Sequence, residues 1–131
     1  MKGLEADMEL TQITSNPQSR YQDAHLEVDF NRRTVALDAE RLVLTRMEYE
    51  LLSLLVECAG EIVPRDVLLL RVWGYGNQIR TRTLDVHIRR LRIKLGAYSV
   101  QYLETIFAVG YRFQPIRKPL ESGTPVLALT A

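Results

Sequence analysis

Eighteen consecutive residues, Gln78 to Leu95, carry Arg80, Arg82, Arg89, Arg90, Arg92 and Lys94 against a single acid, Asp85, a local net charge of +5. Arginine forks match the paired acceptors of a guanine edge and also hold phosphates, so this residue set has the chemistry of nucleic-acid recognition. An apolar side chain such as Val86 can contact a thymine methyl group, and Asp85 can accept from a cytosine amino group or orient an arginine one turn away. Thr83 can reach a phosphate through its hydroxyl and through the free amides of a helix start. The plain alternative for any charge run is a solvated helix face, but such a face favours Glu and Lys in i, i+4 pairs, and only one acid is present.

Spacing supplies the element that would present these groups. Leu84, Ile88, Leu91 and Leu95 fall at i, i+4, i+7 and i+11, and predict a helix over 81–95, stopped by Gly96. On a wheel of 100° per residue Ile88, Leu91 and Leu95 stay within about 40° of Leu84, which makes that side core. The far side holds Arg82, Val86, Arg89, Arg90 and Ile93; Asp85 and Arg92 lie on one flank, and Thr83, His87 and Lys94 on the other.

Upstream, Leu26, Val28 and Phe30, then Val35 and Leu37, then Leu42 and Leu44 alternate as half-buried strands do, so an antiparallel meander is expected. Thr45-Arg46-Met47-Glu48 fits a capping box and starts a helix whose stripe runs from Met47 to Cys58, with Gly60 as its left-handed stop. Cys58 reads as a small buried apolar residue. Pro64 precedes a second helix ending at Trp73 and Gly74. After the third helix, Tyr102 to Ile106 and Tyr111 to Phe113 read as a hairpin with Gly110 at the permissive turn position. The expected fold class is α+β: a winged helix-turn-helix with an N-terminal meander, a three-helix core and a C-terminal hairpin wing. Residues 1–24, with Thr14 to Ser19 polar and Pro17 among them, read as linker; the domain is placed at 25–116, and 117–131 as a tail.

The 131-residue chain, 47% apolar and 25% charged, has room for one ordinary domain. Its formal net charge of +1 hides the segregation: residues 1–24 sum to −2, 25–77 to −3 and 96–131 to +1 around the +5 segment. One cysteine and two histidines cannot build a usual structural zinc site, so no metal and no cofactor is expected. No Ser/His/acid order or Gly-rich phosphate loop points to an enzyme or to a small-molecule substrate. With no apolar run long enough to span a bilayer and no signal peptide, no membrane partner is expected and a cytoplasmic location is the default.

Four blocks, Leu44-Thr45-Arg46-Met47-Glu48-Tyr49-Glu50-Leu51-Leu52, Val72-Trp73-Gly74, Arg82 to Arg92 and Val109-Gly110-Tyr111-Arg112-Phe113, resemble the OmpR/PhoB-type DNA-binding effector domain of two-component response regulators, in that family's order and over roughly residues 25–114. The resemblance implies sequence-specific binding of double-stranded DNA for transcriptional regulation, with a four-stranded N-terminal sheet, a third helix in the major groove and a wing at the neighbouring minor groove. Carried over by position, Asp85, Val86 and Arg90 face bases with Arg89 beside them, while Arg82, Thr83, His87 and Arg92 contact the DNA backbone and Trp73 lies near it. Trp73 has an equal reading as a core aromatic, and His87 as a satisfied helix-flank histidine. The resemblance also implies a dimer on tandem half-sites and RNA polymerase contact through the loop Tyr75 to Arg80, which reads otherwise as a plain connector.

Two departures stand out. The wing tip has Phe107-Ala108 where the family commonly has Arg-Gly, leaving Arg112 as a weak substitute for the missing arginine. The meander turn Asp38-Ala39-Glu40 lacks the glycine often found there. Only 24 residues precede the domain, too few for a receiver, so either an effector fragment of a longer regulator or a free-standing regulator is expected. The competing function is a winged-helix protein-interaction module that does not bind DNA specifically, with Phe107 as its hook.

Overall fold

The computed structural model describes residues 19–74 and 81–118. The loop Tyr75 to Arg80, most of the expected linker and most of the expected tail lie outside the described residues.

The meander forms an antiparallel sheet in the order β1 (Arg20–Gln22), β2 (Leu26–Asp29), β3 (Thr34–Leu37), β4 (Glu40–Leu42). Its register lines up Tyr21, Val28, Val35 and Leu42 across the strands on the face that meets the helices. β1 lies within the stretch read as linker, so strand structure begins before His25. A three-residue strand with one apolar side chain leaves no alternation to detect. The two-residue hairpin between β3 and β4 has Asp38 at φ 50° and Ala39 at φ 70°, so the left-handed turn that twisted strands need is made without glycine.

α1 (Arg46–Glu57) starts as its capping box requires: Glu48 N–H donates to Thr45 Oγ1 at 3.2 Å, and Thr45 N–H donates to Glu48 Oε1 at 3.0 Å. It buries Tyr49, Leu51, Leu52, Leu54, Leu55 and Val56. Cys58 is its half-buried cap, and burial raises the thiol's pKa. β5 (Ile62–Pro64) leads into α2 (Arg65–Trp73), which Gly74 ends at φ 96°. α3 (Thr81–Leu95) buries Leu84, Ile88, Leu91 and Leu95, the stripe expected of it, and Gly96 follows at φ 63°. These three helices share one apolar core with the meander and the wing.

A 3-10 turn (Gly96–Tyr98) and the short α4 (Ser99–Tyr102) carry the chain to β6 (Leu103–Ile106) and β7 (Gly110–Phe113). The expected hairpin is present, but β5 joins it, giving a three-stranded wing in the order β5-β7-β6. Gly110 has a different duty from the one expected. Ala108, at φ 65°, makes the left-handed turn, whereas a Cβ on Gly110 would stand 2.0 Å from the Val63 carbonyl oxygen. The glycine lets β5 approach β7.

Asp23 ties the meander to α4 and to the segment that follows the wing. Its carboxylate accepts from the hydroxyls of Tyr21 and Tyr102 and from the amides of His25, Leu26 and Ile116. Burial pushes its pKa up, but these donors outweigh burial and hold it below the ordinary carboxylate value.

Candidate nucleic-acid interface

The outer face of α3 carries Arg82, Arg89 and Arg90, all exposed, with half-buried Val86 and Ile93, 69% exposed, on the same side. None of the three arginines makes a hydrogen bond or ion pair among the described residues. A helix of 15 residues spans about 22 Å, so this face is a straight, cation-rich ridge.

The flanks are engaged within the protein. Asp85 Oδ2 accepts from Arg65 Nη2 at 2.8 Å and Oδ1 from the Tyr111 hydroxyl at 2.5 Å. Arg65 is the first cause holding the Asp85 carboxyl below its ordinary pKa. Arg65 and Tyr111 come from α2 and β7, so Asp85 knots three elements together. The arginine it orients comes from α2, whereas the sequence suggested one a turn away.

Arg92, expected at the DNA backbone, donates from Nη2 to the Leu103 carbonyl oxygen at 3.0 Å and to Thr105 Oγ1 at 2.8 Å. Its guanidinium and that of Arg65 lie 5.8 Å and 5.9 Å from the centroid of the Tyr111 ring. These bonds fix the wing against α3. Arg112 pairs with Glu104 at 2.9 Å across β6 and β7, so it is no free replacement for a wing-tip arginine.

On the other flank, His87 Nδ1 donates to the Thr83 carbonyl at 2.8 Å, because a carbonyl can only accept, and the ring meets half-buried Trp73 edge-on at 5.0 Å. That contact makes Trp73 and His87 a packed pair and leaves Nε2 as the imidazole's remaining polar atom. Lys94 turns inward, donating to Glu48 Oε1 at 2.6 Å and to the Val43 carbonyl at 2.8 Å. Glu48 is 2% exposed; burial raises its pKa, and Lys94 with the Thr45 amide more than reverses this. One of the six positive charges counted in the sequence is therefore spent on a buried carboxylate.

The structure thus brings Arg82, Val86, Arg89 and Arg90 to one open face and places Asp85, Arg92 and Arg112 in internal contacts. Arg65 and Tyr111 escaped the sequence reading, since each lies at least 20 residues from Asp85 and carries no local signal. Phe107, at the wing tip, is 91% exposed. Among the described residues no group of His, Cys, Asp and Glu is arranged to hold a metal, and no helix is long and apolar enough to cross a membrane.

A family model described as "Transcriptional regulatory protein, C terminal" matches residues 39–113. The probable transcriptional regulator ycf27 of Galdieria sulphuraria is 38% identical over 108 residues, covering 79% of this chain and 42% of that protein. The chain thus spans less than half the length of the curated relatives it matches, 42% and 44% for the Galdieria sulphuraria and Cyanophora paradoxa proteins. Among solved structures, response regulator DrrB, an OmpR/PhoB homologue from Thermotoga maritima, superposes with a TM-score of 0.70 at 29% identity, covering 81% of this chain and 52% of that one. The DNA-binding domain of Klebsiella pneumoniae RstA, in complex with the RstA box, gives 0.67 at 32% identity over 74% of this chain and 98% of that one. With three helices packed between a meander and a wing, and more than half of its residues inside the family match, the chain belongs to the transcriptional regulatory protein C-terminal family, the OmpR/PhoB-type winged-helix effector domains.

Proposed function

We propose that this chain binds double-stranded DNA sequence-specifically and regulates transcription, as the effector domain of a two-component response regulator. The observation that carries the reading is the open face of α3, where Arg82, Arg89 and Arg90 make no hydrogen bond or ion pair among the described residues, Arg90 acting on Glu48 only through its charge, while Arg92 and Lys94 are both bonded within the fold. A major groove about 12 Å wide admits such a helix. Arg89 and Arg90 read base edges, and Val86 meets a thymine methyl. Arg82 and the Thr83 hydroxyl take phosphates, and so does His87 as an imidazolium, its Nδ1–H kept on the Thr83 carbonyl and its Nε2–H donating outward, with Trp73 backing the ring.

Asp85 and Arg92 act as positioning residues in this account, Asp85 by holding Arg65 and Tyr111, Arg92 by holding β6. The relative solved on a DNA box supports the partner class. Two protomers on tandem half-sites, a polymerase contact through Tyr75 to Arg80, a cytoplasmic location and a non-enzymatic role complete the reading.

The test compares two variants on a duplex recovered by selection from random sequence. Arg90→Ala is expected to cost about 1–3 kcal/mol and to relax preference at one base pair, whereas Arg82→Ala weakens all duplexes alike. Wild-type affinity in both variants would remove α3 from the interface.

A further inference from the structure

The wing ends in an aromatic ring that none of the described residues covers. Phe107 is 91% exposed and Val109 beside it 46% exposed, on a tip closed by the left-handed Ala108. That tip is held firmly: Val109 N–H donates to the Ile106 carbonyl and Arg65 N–H to the Val109 carbonyl, each at 2.9 Å. Below it, Arg92, Asp85 and Tyr111 bolt β6 and β7 to the flank of α3. Wing and α3 therefore approach any duplex as one body.

A helix filling the major groove leaves no room there for a hairpin fixed to its flank, so the hairpin extends past the phosphate ridge to the adjacent minor groove. What it brings is uncharged: Arg112 and Glu104, the charged residues of the hairpin, neutralise each other at 2.9 Å. An arginine-type reading of groove potential is thus unavailable to this wing. An exposed ring on a rigid tip suits the other minor-groove chemistry, an apolar wedge set between base pairs, which is least costly at flexible pyrimidine–purine steps.

We propose that Phe107 is such a wedge: it enters the minor groove beside the α3 site, partly unstacks one base step and kinks the duplex, adding selection for a deformable step that no base-edge hydrogen bond reads. The proposal rests on the DNA-binding reading above, and the experiment separates the two. The full chain is bound at saturation to a duplex from random-sequence selection, with 2-aminopurine placed in turn at each step flanking the α3 contact.

The expected result is a several-fold rise in emission at one step, abolished by Phe107→Ala, with roughly tenfold or more loss of affinity, as for loss of a stacked aromatic. Arg90→Ala, at saturation, keeps the emission rise while binding more weakly. A flat signal at every step, or a rise that survives in Phe107→Ala, overturns the wedge. If, in addition, Phe107→Ala binds like the wild type, the ring faces a protein partner instead. Failure to select any duplex overturns the DNA-binding reading itself and the wedge with it.

Discussion

Gly110→Ala is expected to destabilise the fold by about 3 kcal/mol or more, at the upper end of what overpacking costs. The added Cβ would sit 2.0 Å from the Val63 carbonyl oxygen and 2.9 Å from Pro64 Cα. Both are backbone atoms of β5, so no side-chain rotation relieves the clash. Either the Ile62–Arg112, Val63–Tyr111 and Pro64–Gly110 pairs open, or the strand shifts and takes Arg65 with it. The second route pulls Arg65 from Asp85 and loosens the wing against α3. Urea unfolding measures the loss, and Ala108→Gly is the control: it relieves a positive φ without touching β5 and is expected to be neutral or stabilising. A Gly110→Ala protein as stable as the wild type would mean that β5 does not pack as described.

Lys94→Ala is expected to cost about 3 kcal/mol, the lower end for breaking a buried ion pair. The carboxylate of Glu48 is all but inaccessible, whereas Lys94 keeps about a third of its side chain in water. Removing the ammonium strands Glu48 beside its capping amide, with one partner where it had two. The double variant Glu48→Gln/Lys94→Met is expected to recover much of the loss, since two neutral side chains leave no buried charge uncompensated. The pH dependence has a definite sign. Glu48 titrates below its ordinary value of 4.5 in the folded protein, so its contribution is fully present above that value and drains away as pH falls through the depressed folded one. Lys94→Ala should flatten that acid limb while leaving DNA affinity unchanged, because Lys94 points into the fold. A large affinity loss with unchanged stability would instead place Lys94 on the DNA face.

What could be read from the chain alone was what neighbouring residues encode. The capping box at Thr45 and Glu48 and the stripe Leu84, Ile88, Leu91 and Leu95 each lie within one helix, and period or spacing displays them. The open arginine face follows from the same wheel. Other features depend on residues far apart in sequence. Lys94 and Glu48 are 46 positions apart, and Asp85 meets partners 20 and 26 positions away, so a helix wheel cannot tell an outward reader from an inward brace. Gly110 was noticed for the right property, its missing side chain, and assigned the wrong use, because its neighbour Val63 comes from another strand. β1 stayed hidden since its pairing with β2, rather than its composition, makes it a strand.

Whether the three outward arginines on α3 hold a specific duplex is tested most directly by affinity for the selected duplex and for a scrambled one, followed from about 50 to 200 mM salt. With each of the three arginine charges, at base edge or phosphate, displacing about one counterion from the duplex, log K should fall against log salt with a slope near −2.7 per protomer, and the selected duplex should bind at least about 10³-fold tighter than the scrambled one. A slope near zero, or equal affinity for both duplexes, would contradict that role for the arginines.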